Sequence, residues 1–406
     1  MSRLRLYLSF VVVFLAISIS KSASSQTFTI LHSFSGGGHG ANPSSGLTAD
    51  IAGNLYGTTY GGGIGVGTVF KLKHVGSGWV LSTLYTFQGG SDGANPQARV
   101  VFGPNNNLYG TTTSGGQGSN GTIFSLRPPV TVCVAVHCPW SHTILHRFIG
   151  GADGANPQYA DLVFDTQGTM YGTTMNGGTG GAGTVYELMQ SGGSWTESVI
   201  YPFQFNGQDG VRPFSGVIFD SMGNLYGTAS SGGTDGNGAV YELIKSGSIW
   251  TYNQLYAFTG QSDGSTPEGG LIFDNAGNLF GTTALGGASG GGTAFELSPP
   301  GNGWTVKVLY SFNGLPGPLT GLTMDAAGNL YGTNFGGGLY GRGSVFKLTY
   351  SGGMWNYTSL HDFTGGTDGG NPLGTLILDA SGNIYGTASS AGPGGHGNGA
   401  VWEITP

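Results

Sequence analysis

Charge is scarce in this chain: Asp, Glu, Lys and Arg make up 8% of 406 residues, about a third of the usual share in a globular protein. Only 13 residues are Lys or Arg, and the formal net charge is −7. Phosphate binding needs clustered cations, so nucleic acid is excluded as a partner. Cysteine is nearly absent as well. Cys133 and Cys138 are the only two, and with no Cys-x-x-Cys pair the thiolate metal sites are excluded. Long apolar runs are missing except at the start, where Arg3 and Arg5 precede a mostly apolar stretch from Leu6 to Ile19, followed by Ser22, Ala23, Ser24 and Ser25. That three-part pattern predicts a secretory leader, residues 1–25, cleaved after Ser25. The stretch is shorter than the roughly 20 residues a membrane-spanning helix needs. No transmembrane segment is expected after cleavage and no C-terminal anchor is expected, so the mature protein is expected to be secreted or held in the cell envelope. Helical periodicity is also lacking beyond the leader.

Glycine is abundant, 82 residues, without the strict three-residue period of collagen. An apolar content of 38% with 12% aromatics is too high for a disordered chain. One phrase, Asn-Leu-Tyr-Gly-Thr and its variants, recurs seven times, with its aromatic at Tyr56, Tyr109, Tyr171, Tyr226, Phe280, Tyr331 and Tyr385. The spacings of 51 to 62 residues belong to four-stranded propeller blades. Each period holds four short runs rich in Val, Ile, Thr, Tyr and Phe, which read as strands. The segment Thr27 to Phe34 matches the fourth run, whereas the chain ends on a third. The count closes as seven blades only if the N-terminal strand completes the last one beside Ala400 to Thr405. The prediction is an all-β, seven-bladed β-propeller of four-stranded antiparallel blades, one domain over residues 26–406. Asp50, Asp220, Asp274, Asp325 and Asp379 open an Asp-x-x-Gly-Asn turn, where the carboxylate accepts backbone N–H bonds and Gly supplies a positive φ.

The phrases NLYGTT at Asn54 to Thr59 and Asn107 to Thr112, and GTVFKL at Gly67 to Leu72, resemble those of the GloVer-repeat proteins, secreted bacterial tandem-repeat proteins described as carrying a choice of C-terminal anchors. The resemblance covers Phe28 to Thr405. It implies a secreted repeat protein and brings no catalytic residues with it.

Candidate chemistry sits in two places. Asp92, Asp153, Asp209, Asp263 and Asp368 each open an Asp-Gly-x-x-Pro loop before an inner strand. They form either an acidic rim that meets a cation or sugar hydroxyls, or turns in which Asp bonds its own backbone. The second place is where one blade departs from its siblings, since a site grafted on a repeat must break its symmetry. Arg99 stands where Gly46, Gly216, Gly270 and Gly321 stand elsewhere. Asp161, after Tyr159, lies level with it in the next blade, and Arg212 and Glu268 add charge near the mouth. Arg99 and Asp161 form either a structural ion pair or a binding pair. His32, His146 and His361 occupy the slot of Tyr85, Tyr201, Tyr256 and Tyr310 in three different blades, too far apart to share a metal. No metal and no cofactor is therefore expected. Cys133 and Cys138 are expected to close a small disulfide loop, the alternative being a redox pair. The resulting expectation is a monomeric, non-catalytic binding propeller for an extracellular glycan, a small polar ligand or a cell-surface protein. The competing classes are a glycan hydrolase or lyase and a purely structural envelope or biofilm protein.

Overall fold

A computed structural model describes residues 26–129, 140–299, 303–390, 392 and 397–406. The expected leader, Cys133 and Cys138 and the disulfide expected between them lie outside the described residues. Among those residues seven antiparallel blade sheets follow one another around a ring, six of four strands and the last with a short fifth, Gly370–Pro372, added to the four. The first blade runs Thr48–Ala49, Leu55–Thr59, Thr68–Val75 and Gly78–Thr86, and five more repeat that order. The seventh consists of Ile377–Leu378, Ile384–Ser390 and Ala400–Thr405, and Thr27–Ser33 pairs antiparallel with the last of these, Thr27 opposite Thr405. The N-terminal strand thus closes the ring as the strand count requires. Among the described residues the helical segments are three-residue 3-10 turns, and among them no helix is long and apolar enough to cross a membrane.

Each letter of the recurring phrase has a distinct structural task. In the first blade the Asn54 amide donates to Asp50 Oδ2 at 2.7 Å, and the backbone N–H groups of Ala52 and Asn54 donate to Asp50 Oδ1 at 2.9 Å each. Leu55 is 1% exposed, in the core. The Tyr56 hydroxyl donates to Asp50 Oδ2 at 3.0 Å, while its ring meets Phe102 of the next blade edge-on at 5.2 Å. Gly57 lies directly opposite Phe70 on the neighbouring strand. A Cβ there would stand 2.6 Å from Phe70 Cζ, closer than real side chains tolerate. The same cross-strand pair recurs as Gly110 with Phe124, Gly172 with Tyr186, Gly227 with Tyr241, Gly281 with Phe295, Gly332 with Phe346 and Gly386 with Trp402.

The two threonines reach outward and inward. The Thr58 hydroxyl donates to Ala98 O in the next blade at 3.2 Å, and Thr111, Thr173, Thr228 and Thr282 repeat the link to their own neighbours. Thr387 makes the same link from the last blade to the first by donating to Ser45 O at 2.9 Å, whereas Thr333 of the sixth blade bonds Thr320 of its own blade at 3.2 Å. Thr59 bonds Thr68 on its own third strand at 2.8 Å. All these groups are buried and partnered, which is what makes burying them tolerable.

Two predictions test this account. Gly281→Ala places a methyl 2.6 Å from Phe295 Cζ and is expected to cost about 1–3 kcal/mol as overpacking. Chemical denaturation should show part of the loss restored in Gly281→Ala/Phe295→Leu, whereas strict additivity of the two changes would contradict the pairing. Removing residues 26–33 exposes Trp402, now fully buried, and takes away Phe28, which stacks on His361 at 3.7 Å. Calorimetry should record a melting temperature lower by on the order of 10 °C, from several lost side-chain burials. An unchanged value would mean that closure adds nothing.

Candidate functional site

The acidic loops and the Gly-rich loops share one face of the ring. Ala41, Ala94, Ala155 and Ser265, each beside a loop of the first kind, bridge Gly61, Ser114, Asn176 and Leu285 on the second. Within these loops the five rim carboxylates are held locally. Asp92 accepts from the Tyr85 hydroxyl at 2.7 Å and from Gln88 N at 2.7 Å. Asp209 accepts from Tyr201 and Gln204 N, and Asp263 from Tyr256 and Thr259 N. In the other two loops a histidine replaces the tyrosine: His146 Nε2 lies 3.0 Å from Asp153, and His361 Nε2 lies 3.1 Å from Asp368. The Tyr/His slot is explained by this shared capacity to donate to Asp. In the blade where His39 replaces that Asp, His32 Nε2 is buried without a hydrogen-bond partner, and burial together with His39 pushes its pKa down to about 4. Arg212 occupies a left-handed position, φ 59°, where Asn42, Asn95, Asn156 and Asn371 stand in sibling blades, and its side chain is exposed on the loop face.

A different set of residues converges at the centre. One cavity of about 210 Å³ is lined by the inner-strand entries of all seven blades, and it contains Gln97, Arg99, Tyr159, Asp161 and Glu268. One arc of its wall is glycine: Gly46, Gly216, Gly270 and Gly321. Neighbouring backbones approach there so closely that a Cβ on Gly321 would stand 2.8 Å from Gly270 O, and one on Gly46 2.9 Å from Thr375 O. Opposite the arc, Arg99 Nη2 pairs with Asp161 Oδ2 at 3.0 Å, and the Arg99 backbone N–H donates to Asp161 Oδ1 at 2.8 Å. These two side chains stay 29% and 27% exposed, which leaves the pair open to a ligand. The Gln97 amide donates to the Tyr159 hydroxyl at 2.9 Å and accepts from Thr113 at 2.9 Å. Tyr159 itself is held at φ 51° and stacks on Phe214 at 5.0 Å. A non-glycine residue at positive φ stores strain, and such positions cluster at functional sites.

Electrostatics follow from burial. Glu268 is mostly removed from water, which pushes its carboxyl up to about 7. Burial raises the Tyr159 phenol, and the nearby Glu268 charge raises it further, while its bond from Gln97 acts the other way. The cavity therefore combines a fixed ion pair, an amide, an aromatic ring and a carboxyl that is half protonated near neutrality.

Of the ten candidates from sequence, Arg99, Tyr159, Asp161 and Glu268 come together in one cavity. Arg212 and the five loop carboxylates do not line it. The sequence reading passes over Gln97, which stands in line with Tyr159 and Glu268 two residues before the Arg99 level. It also passes over Glu197, on the outer strand Ser194–Pro202. Burial and the adjacent Asp153 push the Glu197 carboxyl up to about 8. Aligning the blades slot by slot exposes both.

No curated relative matches this sequence. Among solved structures, an extracellular domain from B. thetaiotaomicron is similar with a TM-score of 0.54 at 13% identity, over 93% of this chain. This chain spans 40% of that protein's length. A polysaccharide lyase, an ulvan lyase bound to -[GlcA(1-4)Rha3S]-, is similar with a TM-score of 0.55 at 10% identity, over 91% of this chain and 94% of its own. At such identities the likeness extends to the propeller fold alone. The family model of the Gloeobacter/Verrucomicrobia repeat matches residues 18–139 and 136–323, three quarters of the sequence and blades one to five of the ring. The chain belongs to the Gloeobacter/Verrucomicrobia repeat family.

Proposed function

We propose that this protein is a secreted or envelope-exposed, monomeric binding propeller that takes an extracellular glycan at the mouth of its central channel. The observation that carries the reading is the asymmetry of the channel wall: seven equivalent positions converge there, yet Arg99 and Asp161 replace glycine in adjacent blades. Small-molecule sites are concave, with few, well-placed polar groups on an otherwise inert wall. Sugar hydroxyls both donate and accept, which suits an ion pair with spare donors and acceptors beside an amide. The Tyr159 ring offers an apolar face to a pyranose. A net charge of −7 favours neutral sugars over polyanions. The likeness to an extracellular domain and to a lyase that holds an oligosaccharide supports this assignment by analogy of fold.

A second reading rests on Glu268. A carboxyl titrating near 7 suits a general acid, so glycan turnover belongs in the same experiment.

The mature protein is expected to bind a defined oligosaccharide on a glycan array, with affinity reduced about 10- to 100-fold in Arg99→Gly and Asp161→Ala, the loss of one charge-assisted hydrogen bond. Silence across the array, or binding indifferent to both substitutions, would contradict the proposal. Appearance of reducing ends or of an unsaturated product would move it to the enzymatic reading.

Glu268 also makes stability depend on pH. Its folded pKa of about 7 lies above the ordinary 4.5, so between those values the folded state binds more protons than the unfolded one. Its contribution is complete below about pH 4.5 and is lost as pH rises through 7. Glu268→Gln cannot ionise. Its melting temperature relative to the parent protein is expected to rise between pH 5 and pH 8, and a constant difference would show that the carboxyl is not buried as described.

A further inference from the structure

At four of the seven blade junctions one ring packs over the Tyr/His slot of the blade before it. His142 stacks on Tyr85 at 4.0 Å, Tyr252 on Tyr201 at 5.0 Å, Tyr357 on Tyr310 at 4.6 Å and Phe28 on His361 at 3.7 Å. Two junctions use an aliphatic residue in that slot, Leu81 and Val306. The junction between the second and third blades breaks the rule. Glu197 takes the slot, and its carboxylate faces His146 and Asp153, with one ligand atom from each of the three within 4.8 Å of the others. Glu197 Oε1 is wholly buried and has no hydrogen-bond partner. Asp153 Oδ2 accepts from Ile149 N at 2.7 Å, which fixes its carboxylate, and Oδ1 lies 3.0 Å from His146 Nε2. Two carboxylates confined together repel unless something positive lies between them.

We propose that His146, Asp153 and Glu197 form a binding site for a divalent transition metal of the zinc class, clamping the second blade to the third. One imidazole nitrogen with two carboxylate oxygens is a donor set that Zn²⁺ accepts at about 2.0–2.2 Å, which sets tetrahedral ligand atoms roughly 3.5 Å apart. The 3.0 Å between His146 Nε2 and Asp153 Oδ1 already suits ligands on one ion, and a small swing of the Glu197 side chain completes the set. Calcium is disfavoured, since it takes six to eight oxygens and no imidazole. The His146 and Asp153 side chains remain 22% and 13% exposed, so water reaches the site and supplies the fourth position. The competing arrangement, a proton shared between Asp153 and Glu197, fills the same gap without a metal.

The test uses the mature protein stripped with a chelator and then titrated with ZnCl₂, followed by calorimetry and thermal melting. One Zn²⁺ per chain is expected, with a melting temperature raised by several degrees at saturating metal. His146→Tyr and Glu197→Leu restore residues that sibling junctions carry, Tyr85 and Leu81, so both variants should fold, and both should lose the metal-dependent shift. Co²⁺ provides a readout independent of the variants, because ligation by His146 should produce a visible absorption band in the parent protein. Absence of stoichiometric Zn²⁺ binding and of the Co²⁺ band would overturn the proposal in favour of the shared proton. Binding that persists undiminished in His146→Tyr would overturn it by placing the metal elsewhere.

Discussion

Seven glycines lying beneath seven aromatic rings hold this molecule to its shape. In each blade the glycine after the recurring Tyr or Phe faces Phe, Tyr or Trp directly across the ladder, and the ring fills the space a Cβ would need. That contact lets the ring of the third strand lie across the second, and the aromatic is fully buried: Phe70, Phe124, Tyr186, Tyr241, Phe295, Phe346 and Trp402 are each 0% exposed. On opposite faces of the same strand Leu55 packs with Tyr385 of the preceding blade and Tyr56 with Phe102 of the following one, and the Thr58 hydroxyl meets the next blade at Ala98 O. The glycine content, which on composition alone could suggest looseness, here marks close packing.

Because the repeat unit both builds a blade and joins it to its neighbour, nearly all recurring polar residues are committed to structure. Asp50 and its equivalents hold turns, Asp92 and its equivalents hold the Tyr/His slot, and the threonines carry hydrogen bonds around the ring as far as Thr387 and Ser45. What is left for chemistry lies where a blade departs from the pattern. Arg99 and Asp161 replace channel glycines, Tyr159 adopts a strained backbone beside them, and Glu197 replaces a packing ring at an outer junction. The first group faces a channel lined by all seven blades and the second sits at a junction of two, so the proposed ligand site and the proposed clamp draw on separate residues.

Much of the architecture was legible in the sequence because a propeller writes its period into turn chemistry. The Asp-x-x-Gly-Asn turns and the unmatched strand from Thr27 predict the blade count and the closure, and the pairing of Thr27 with Thr405 agrees. Arg99 and Asp161 were legible for the same reason: a charge in a glycine column stands out. The loop carboxylates Asp92, Asp153, Asp209, Asp263 and Asp368 were harder to interpret, since their partners, the outer-strand Tyr and His, sit only seven or eight residues away in sequence but at the opposite end of a hairpin bend. Gln97 and Glu197 were hidden by chemistry that looks ordinary in isolation. A glutamine near a turn and a glutamate on an outer strand become exceptional only when their slots are compared across blades, and the Glu197 environment depends on His146 and Asp153 from the preceding blade, a contact no single repeat contains.

The central claim is that the repeat residues serve the ring whereas the departures serve a ligand, and a saturation scan of the displayed protein read for folded abundance tests it most directly. The account predicts that abundance collapses for substitutions at the blade glycines, at the tyrosines and at the inter-blade threonines, while Gln97, Arg99 and Glu268 tolerate most replacements. Abundance as sensitive at those three channel positions as at the motif positions would contradict it, because the channel residues would then be part of the framework.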